Sequence, residues 1–439
     1  MRRLARPLLY AGTCGIILLL GRVHAQYIGG YVFHQERLPW AVGYAVLLSL
    51  SAYAIGLPDL YRNFRATVAA SIMAVVVGAG AISLCQLLLG SLLLPRFVVG
   101  VGAIVLVPWY VVCTYLANAG SDRQALRDRI VAVVGSEEAA TLRSDLTRRA
   151  AERPATLMGV LSPDQARPAP GRAAPLVDTV ASRSANVVVL DRFATDDDEI
   201  VAQAASLHEA GVRVRTLALF YDEWLGKLPL SELERVSLMF DIGEIHRARY
   251  GRLKRLTDVT VALVGLALLV LALPFVLIGN LIANRGSLFY RQPRVGRGGE
   301  TYEILKFRTM RPGAADTPWT QAADARVTPF GRWLRVTHLD ELPQVVNVLT
   351  SHQSIVGPRP EQPHYVEQLS EKIPFYDLRH LVKPGLTGWA QVKYDYGSSE
   401  VDALEKLQYE FYYLRHQSLS LDLRIIGRTL RSVIGRGGR

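Results

Sequence analysis

The stretch VTVALVGLALLVLALPFVLIGNLI, Val259–Ile282, runs without a charged residue. It is long enough to cross the bilayer core as a helix, which takes about 20 residues. Two features argue against a simple crossing. Arg247, Arg249, Arg252, Lys254 and Arg255 precede it, and Arg285, Arg291, Arg294 and Arg297 follow it. Basic flanks favour the cytoplasmic side, so a spanning helix would strand one cluster outside. Pro274 also sits inside the run. Proline removes a helical hydrogen bond and clashes with the preceding turn, so it supplies a break. The flanking charges favour a re-entrant helix over residues 258–283, although proline occurs in straight-through membrane helices too.

Composition agrees with a membrane chain. Its 439 residues are 50% hydrophobic and 20% charged, with a mean hydropathy of +0.18. So much apolar material excludes a disordered chain. The formal net charge of +11 points to a polyanionic partner: nucleic acid, an anionic membrane surface or a phosphorylated substrate. Four more apolar runs, Leu4–Leu20, Pro39–Leu57, Ala66–Leu84 and Phe97–Ala117, have spanning length. Arg2, Arg3, Arg6, Arg62, Arg65, Arg123, Arg127 and Arg129 fall on one side of them. Arg22, Arg37 and Arg96 fall on the other. The richer side is expected to be cytoplasmic. Cys14, Cys85 and Cys113 lie in apolar stretches and imply neither disulfides nor zinc. The expected segments are 1–120 for the four membrane helices, 121–246 for an α/β domain, and 247–439 for the rest.

In the middle segment, short apolar stretches (Ile130–Val134, Thr156–Leu161, Val187–Leu190, Val212–Leu217) alternate with helix-like ones such as Ser136–Ala151 and Asp196–Ala210. That order predicts a small, Rossmann-like parallel α/β domain. The first turn, Val134-Gly135-Ser136-Glu137-Glu138, lacks the glycine fingerprint of a dinucleotide site and carries two acids instead. Asp196-Asp197-Asp198 resembles a metal-binding D-x-D. It precedes a helix-like stretch, and helix capping is the stronger reading.

The C-terminal third carries the chemistry. Tyr302–Thr309 reads as a strand with Lys306 and Arg308 on one face, suited to a phosphate or diphosphate. In Arg335-Val336-Thr337-His338-Leu339-Asp340-Glu341-Leu342-Pro343, Pro343 fits the first turn of a helix. Asp340 and Glu341 then lie at its N-terminus, where acids commonly act as caps. Arg335 nearby raises the functional reading. In Gly357-Pro358-Arg359-Pro360-Glu361 the two prolines restrict the arginine between them, giving a preorganised phosphate clamp. Lys383-Pro384-Gly385-Leu386-Thr387-Gly388-Trp389-Ala390-Gln391 is a further basic, turn-rich segment. At the C-terminus, Arg424, Arg428 and Arg431 flank a stripe of Leu423, Ile426, Leu430 and Ile434. An interfacial helix fits this pattern, as does a soluble amphipathic one. Arg436 and Arg439 are expected in a frayed tail.

KFRTM (Lys306–Met310), LDELPQVVNVL (Leu339–Leu349), SIVGPRP (Ser354–Pro360) and KPGLTGWAQV (Lys383–Val392) resemble, in order, the bacterial sugar transferases. These are the monotopic phosphoglycosyl transferases. Lys254–Asp258 is similar to the start of that family, so the resemblance covers roughly residues 250–439. It implies a monotopic, α/β-containing catalytic domain with a re-entrant helix, at the cytoplasmic face of the bacterial inner membrane. The four-helix and α/β segments ahead of it look like the larger members, which initiate exopolysaccharide, capsule or O-antigen synthesis. The implied reaction moves a sugar-1-phosphate from a UDP-sugar to undecaprenyl phosphate and releases UMP.

By the same resemblance Asp340 is the nucleophile and Glu341 the acid associated with Mg²⁺. Lys306, Arg308, Arg335, Arg359, Lys383 and Gln391 bind substrate, while Pro274, Pro358 and Pro360 are structural. Membrane lipids, a homodimer and downstream glycosyltransferases are the further expected partners, and nucleic acid is not. Leu273, Ser351-His352-Gln353 and Lys393 depart from the family pattern, which bears on local geometry and sugar choice. A catalytically idle scaffold would lack Asp340–Glu341 or Arg359, and all are present. A nucleic-acid binder would need a basic face with stacking aromatics in the soluble part, whereas these cations flank apolar segments.

Overall fold

The computed structural model describes residues 2–29, 32–33, 37–58, 64–89, 94–118, 127–148, 155–229, 244–311, 326–394 and 400–435. Arg62, Arg123, Arg436 and Arg439, named above, lie outside these residues. Along the chain, α1 (Arg2–His24), α2 (Leu38–Ile55), α3 (Phe64–Leu89) and α4 (Arg96–Asn118) come first. Then follow β1 (Asp128–Val133), α5 (Ser136–Arg148), β2 (Ala155–Leu161), α6 (Pro175–Arg183), β3 (Val187–Leu190), α7 (Asp198–Glu209) and β4 (Arg213–Thr216). The last part holds α8 (Glu244–Ala283), β5 (Phe289–Val295), β6 (Thr301–Phe307), α9 (Pro329–Val336), a 3₁₀ segment (Leu339–Gln344) and α10 (Val345–Leu349). It continues with β7 (Ser354–Val356), α11 (Pro363–Lys372), β8 (Gly385–Thr387), α12 (Trp389–Lys393), α13 (Glu400–Arg415) and α14 (Leu419–Gly435).

Two compact units emerge, and neither is continuous in sequence. One comprises Met1–Ala119, Ile245–Tyr396 and Gln417–Arg439; the other comprises Gly120–Glu244 and Gly397–His416. Among the described residues, five helices are long and apolar enough to cross a membrane: α1 to α4, and α8 from Tyr250 to Ala283. α1 to α4 pack around Leu9, Ile17, Tyr44, Leu48, Leu106 and Tyr110, all fully buried. Leu19, Val76 and Ile104 point outward. Such outward apolar side chains suit lipid, where every backbone group must be satisfied within the helix.

α8 continues through Pro274 to Ala283, so the expected break there is not an end of the helix. Proline deprives one turn of its hydrogen bond, and the remaining bonds on either side keep the helix going. Both ends of α8 are anchored in the same compact unit. The Arg255 guanidinium donates to the carbonyls of Val348 and Leu349 at 2.7 and 2.8 Å. The buried Asp258 carboxylate accepts from Ser354 Oγ at 2.9 Å and Ile355 N at 3.0 Å. At the other end, Asn284 Nδ2 donates to Arg308 O at 2.7 Å.

The second unit is a four-stranded sheet of order β2-β1-β3-β4, with every pair parallel. Alternation along the strands feeds two cores. Ile130, Ala132, Val187 and Val189 join Phe220 and Trp224 on one face. Val131, Val133, Val188 and Leu190 join Leu176 and Ile200 on the other. At the end of β1, Gly135 N donates to the Asp191 carboxylate at 2.9 Å. A side-chain anion therefore already occupies the position a phosphate takes in dinucleotide sites. Asp197 caps α7 by accepting from Glu199 N and Ile200 N, and pairs with Arg167 at 2.6 Å. α13 belongs to this unit: Leu228 N donates to Gln408 O, and buried Lys227 pairs with Asp145 at 2.7 Å and Glu405 at 3.5 Å.

α14 does more than lie along an interface. Its Leu430 packs against the core of the four-helix bundle. A Cβ on Gly427 would overlap the Ala54 carbonyl oxygen of α2, so only glycine allows this approach. Arg428 sits over the Trp389 ring at 4.7 Å, and Thr429 bonds Thr387 at 2.6 Å.

Candidate active site

β5 and β6 form an antiparallel hairpin, and β6 delivers Lys306 opposite Tyr290. The Asn347 amide holds the outer edge of β6. It donates to Glu303 O at 2.7 Å and accepts from Leu305 N at 3.0 Å. This ties the strand to α10 and thereby to the 3₁₀ segment that carries the acids. α9 starts at a Thr328 cap with Pro329 in its first turn and presents Arg335 in its last. His338, with φ 55°, then reverses the chain into the 3₁₀ segment. Asp340 and Glu341 lie in the first turn of that segment and Pro343 inside it. The helical path thus opens earlier and tighter than a helix with Pro343 in its first turn.

Lys306 Nζ lies 2.6 Å from Glu341 Oε1. Burial works against the Glu341 charge, but Lys306 and Arg359 outweigh it and hold the carboxyl down at about 2. Asp340 is the opposite case. Burial, then the neighbouring Glu341 charge, push it up to about 6, with Lys306 and Arg335 pulling back. Glu341 thus keeps its charge with a cation in contact. Among the described residues, no hydrogen bond or ion pair holds the Asp340 carboxylate. Arg335 Nε donates to Thr309 Oγ1 at 3.0 Å.

The Arg359 loop is fixed by backbone. Gly357 N donates to Thr387 O at 2.9 Å, Gly385 N to Pro358 O at 2.8 Å, and Arg379 Nη2 to Arg359 O at 3.0 Å. Arg294 Nη1 donates to Pro360 O at 3.1 Å. A Cβ at Gly357 would strike the Lys383 carbonyl, so the two glycines at 357 and 385 let the loops touch backbone to backbone.

Asp340, Glu341, Lys306, Arg335 and Arg359 therefore share one electrostatic neighbourhood. Arg308 does not join them. Its strand ends at Phe307, and its buried guanidinium donates to Ser287 O at 2.7 Å, Met310 O at 3.0 Å, Asn280 Oδ1 at 3.4 Å and Asn284 O. It clamps the far end of α8. Lys383 Nζ donates to Ser351 Oγ at 2.9 Å, and Gln391 is exposed. Neither contacts the acids among the described residues. Of the departing positions, His352 stacks on Tyr302 at 5.9 Å and Lys393 lies over Trp389 at 5.2 Å. Asp258, Asn280, Asn284 and Asn347 were not singled out from the sequence. A polar residue at or within an otherwise apolar run is the signal that marks each of them.

No cluster of three or more His, Cys, Asp or Glu among the described residues could hold a metal alone. Two adjacent carboxylates with like charges do suit Mg²⁺, which commonly takes one or two carboxylates and completes its shell with phosphate oxygens and water.

A family profile described as "Bacterial sugar transferase" matches residues 249–436. Three relatives illustrate the similarity. The UDP-N-acetylgalactosamine-undecaprenyl-phosphate N-acetylgalactosaminephosphotransferase of Aeromonas hydrophila is 37% identical over 193 residues, 43% of this chain and 46% of its own length. The UDP-glucose:undecaprenyl-phosphate glucose-1-phosphate transferase of Escherichia coli K12 is 41% identical over 184 residues, 40% of this chain and 39% of its own length. The protein of that same name from Caulobacter vibrioides is 37% identical over 196 residues, 44% of this chain and 73% of its own length. The matched region thus spans less than half of the first two relatives.

Proposed function

The chain belongs to the bacterial sugar transferase family, and from that premise we propose that it transfers a sugar-1-phosphate from a UDP-sugar to undecaprenyl phosphate. The observation that carries the reading is the Asp340–Glu341 pair set among Lys306, Arg335 and Arg359. With its carboxyl near 6, Asp340 is still about nine-tenths ionised at pH 7, so it needs no general base. An Asp340 oxygen bonds to the β-phosphorus as the bond from that phosphorus to the bridging oxygen breaks. UMP leaves with the electron pair. A phosphate oxygen of undecaprenyl phosphate then bonds the same phosphorus and returns Asp340 as carboxylate.

An anion attacking an anion needs its charge offset. Lys306 and Arg335 stand beside the nucleophile, and Arg359 presents a preorganised guanidinium to the phosphates. Glu341, with the donor's phosphate oxygens, would hold Mg²⁺, which supplies further charge neutralisation when bound. The cytoplasmic, re-entrant placement of α8 is part of this reading. Asp258 and Asn284 both anchor to the same unit, whereas a straight helix would separate them by about 39 Å. Anchors at Ser354 and Arg308, both within residues 245–396 of one unit, support a placement in which a lipid phosphate reaches the site without crossing. The finer assignments, a Rossmann-like 121–246 domain and a first step in exopolysaccharide, capsule or O-antigen synthesis, follow the same reading.

The test uses detergent-solubilised protein, undecaprenyl phosphate, Mg²⁺ and a panel of UDP-sugars, following UMP release and lipid-linked product. Asp340→Asn is expected to abolish both while leaving the protein folded. Normal turnover by that variant would sink the nucleophile assignment.

A further inference from the structure

We propose that Gln353 is a positioning residue: its buried amide, bonded to Gln344, sets the segment carrying Asp340 and Glu341 in register with the loop carrying Arg359. The proposal rests on the transferase reading and says what aligns its parts.

The acids and Arg359 come from different elements. Asp340 and Glu341 lie on the 3₁₀ segment that ends at Gln344. Arg359 follows β7, which starts directly after Gln353. Between them run α10 and a turn in which Ser351 takes φ 72°. Two hydrogen bonds from Gln353 close this excursion. Its backbone N donates to Asn347 O at 3.1 Å, and its side-chain Nε2 donates to Gln344 Oε1 at 3.0 Å. The first lies within the turn. The second joins the end of the acid-bearing segment to the start of β7. Gln353 is 0% exposed and Gln344 3%, so water does not compete for that bond. The neighbouring His352 ring stacks on Tyr302 of β6, the strand that carries Lys306.

Stability does not explain the amide. Gln353 Oε1 is buried and finds no hydrogen-bond partner among the described residues. Taking a polar atom out of water without a partner costs free energy. Methionine has nearly the same length and shape and would fill the space without that cost. An apolar contact lets neighbours slide, whereas a hydrogen bond fixes distance and direction. Register is therefore what the amide adds. Register matters here because the Arg359 charge reaches Glu341. A misplacement of about 1 Å at the reacting groups costs about a hundredfold in rate.

Steady-state kinetics and thermal melting of the solubilised full chain, with UDP-sugars as donors, test the proposal on Gln353→Met, Gln344→Met and the double variant. Each single variant is expected to lower kcat about tenfold with KM for the donor within about twofold, because the donor still binds but meets a misaligned nucleophile. The double variant should be no slower than the slower single one, since both remove the same bond. Its melting temperature should equal or exceed that of the wild type, since both partners become apolar. Hydrogen–deuterium exchange over residues 339–344 should be faster in Gln353→Met. Normal kcat in folded Gln353→Met overturns the proposal, as do losses that multiply to about a hundredfold in the double variant. A kcat that falls only in step with melting temperature marks a merely structural residue and is equally fatal. If Gln353→Met does not fold, Gln344→Met carries the test on the same criteria; if neither folds, stability explains the amide and the proposal falls. Absence of UMP release by the wild type from every UDP-sugar would count against the transferase reading instead. Exchange still decides the register in that case, and unchanged exchange over residues 339–344 overturns it.

Discussion

Lys306, 2.6 Å from Glu341, divides the labour of the two acids: it keeps Glu341 ionised, while its weaker pull on Asp340 is outweighed there by burial and the Glu341 charge. On the proposed reading Asp340 must be ionised to act as the nucleophile, so activity falls as pH drops through its carboxyl value of about 6. For the wild type, kcat/KM is expected to fall about tenfold for each pH unit below 6. Lys306→Met removes a charge that holds the Asp340 carboxyl down, so the acid limb should move to higher pH. Its kcat/KM at pH 7 should drop at least about a hundredfold, the loss of a charge-neutralising contact in a buried site. A pH–rate profile of both proteins checks this. Arg308 should behave differently. Arg308→Ala strips carbonyls and Asn280 of a buried charged donor, so it is expected to cost about 3 kcal/mol of stability, read as a lower melting temperature. The acids and Arg359 were legible in the sequence because proline neighbours and charge pairs are local signals. The inward turn of Arg308 was not. Period two gives a face, but it cannot say that the strand stops at Phe307.

Among elements, the long ones were the legible ones. Each apolar run of spanning length is a helix, and the Val187–Leu190 strand has its expected limits, because periodicity accumulates with length. β7 and β8, three residues each, were hidden inside motifs read as loops. They exist because Gly357 and Gly385 let two backbones meet, a tertiary fact without a local pattern. The Asn347 bridge to β6 is of the same kind. Asn347→Leu keeps the bulk but leaves Glu303 O and Leu305 N unpaired. It is expected to cost about 2 kcal/mol and to speed amide exchange in β6 ahead of the sheet of the other unit, measured by hydrogen–deuterium exchange.

In the whole molecule, the chain does not divide into consecutive blocks. The four-helix bundle packs through α14 with β7, β8 and α12, and α13 completes the α/β unit. No composition shift announces either fact, since α13 reads as an ordinary amphipathic helix. Gly427→Val should clash with the Ala54 carbonyl and lower the melting temperature of the solubilised protein, with transferase activity unchanged in the protein that remains folded. A fragment of residues 245–439 should aggregate, because α13 buries Leu407, Phe411 and Leu414 in the intact chain. Co-expression of residues 120–244 should restore soluble, monodisperse material, measured by size-exclusion chromatography in detergent. The shared helix also sets a timetable. During synthesis at about 5–20 residues per second, the sheet leaves the ribosome about 10–30 seconds before α13 exists, counting from residue 244 to residue 416. Throughout that interval Lys227 lacks Glu405 and the α/β unit lacks its last wall, so this domain matures only once α13 has been made.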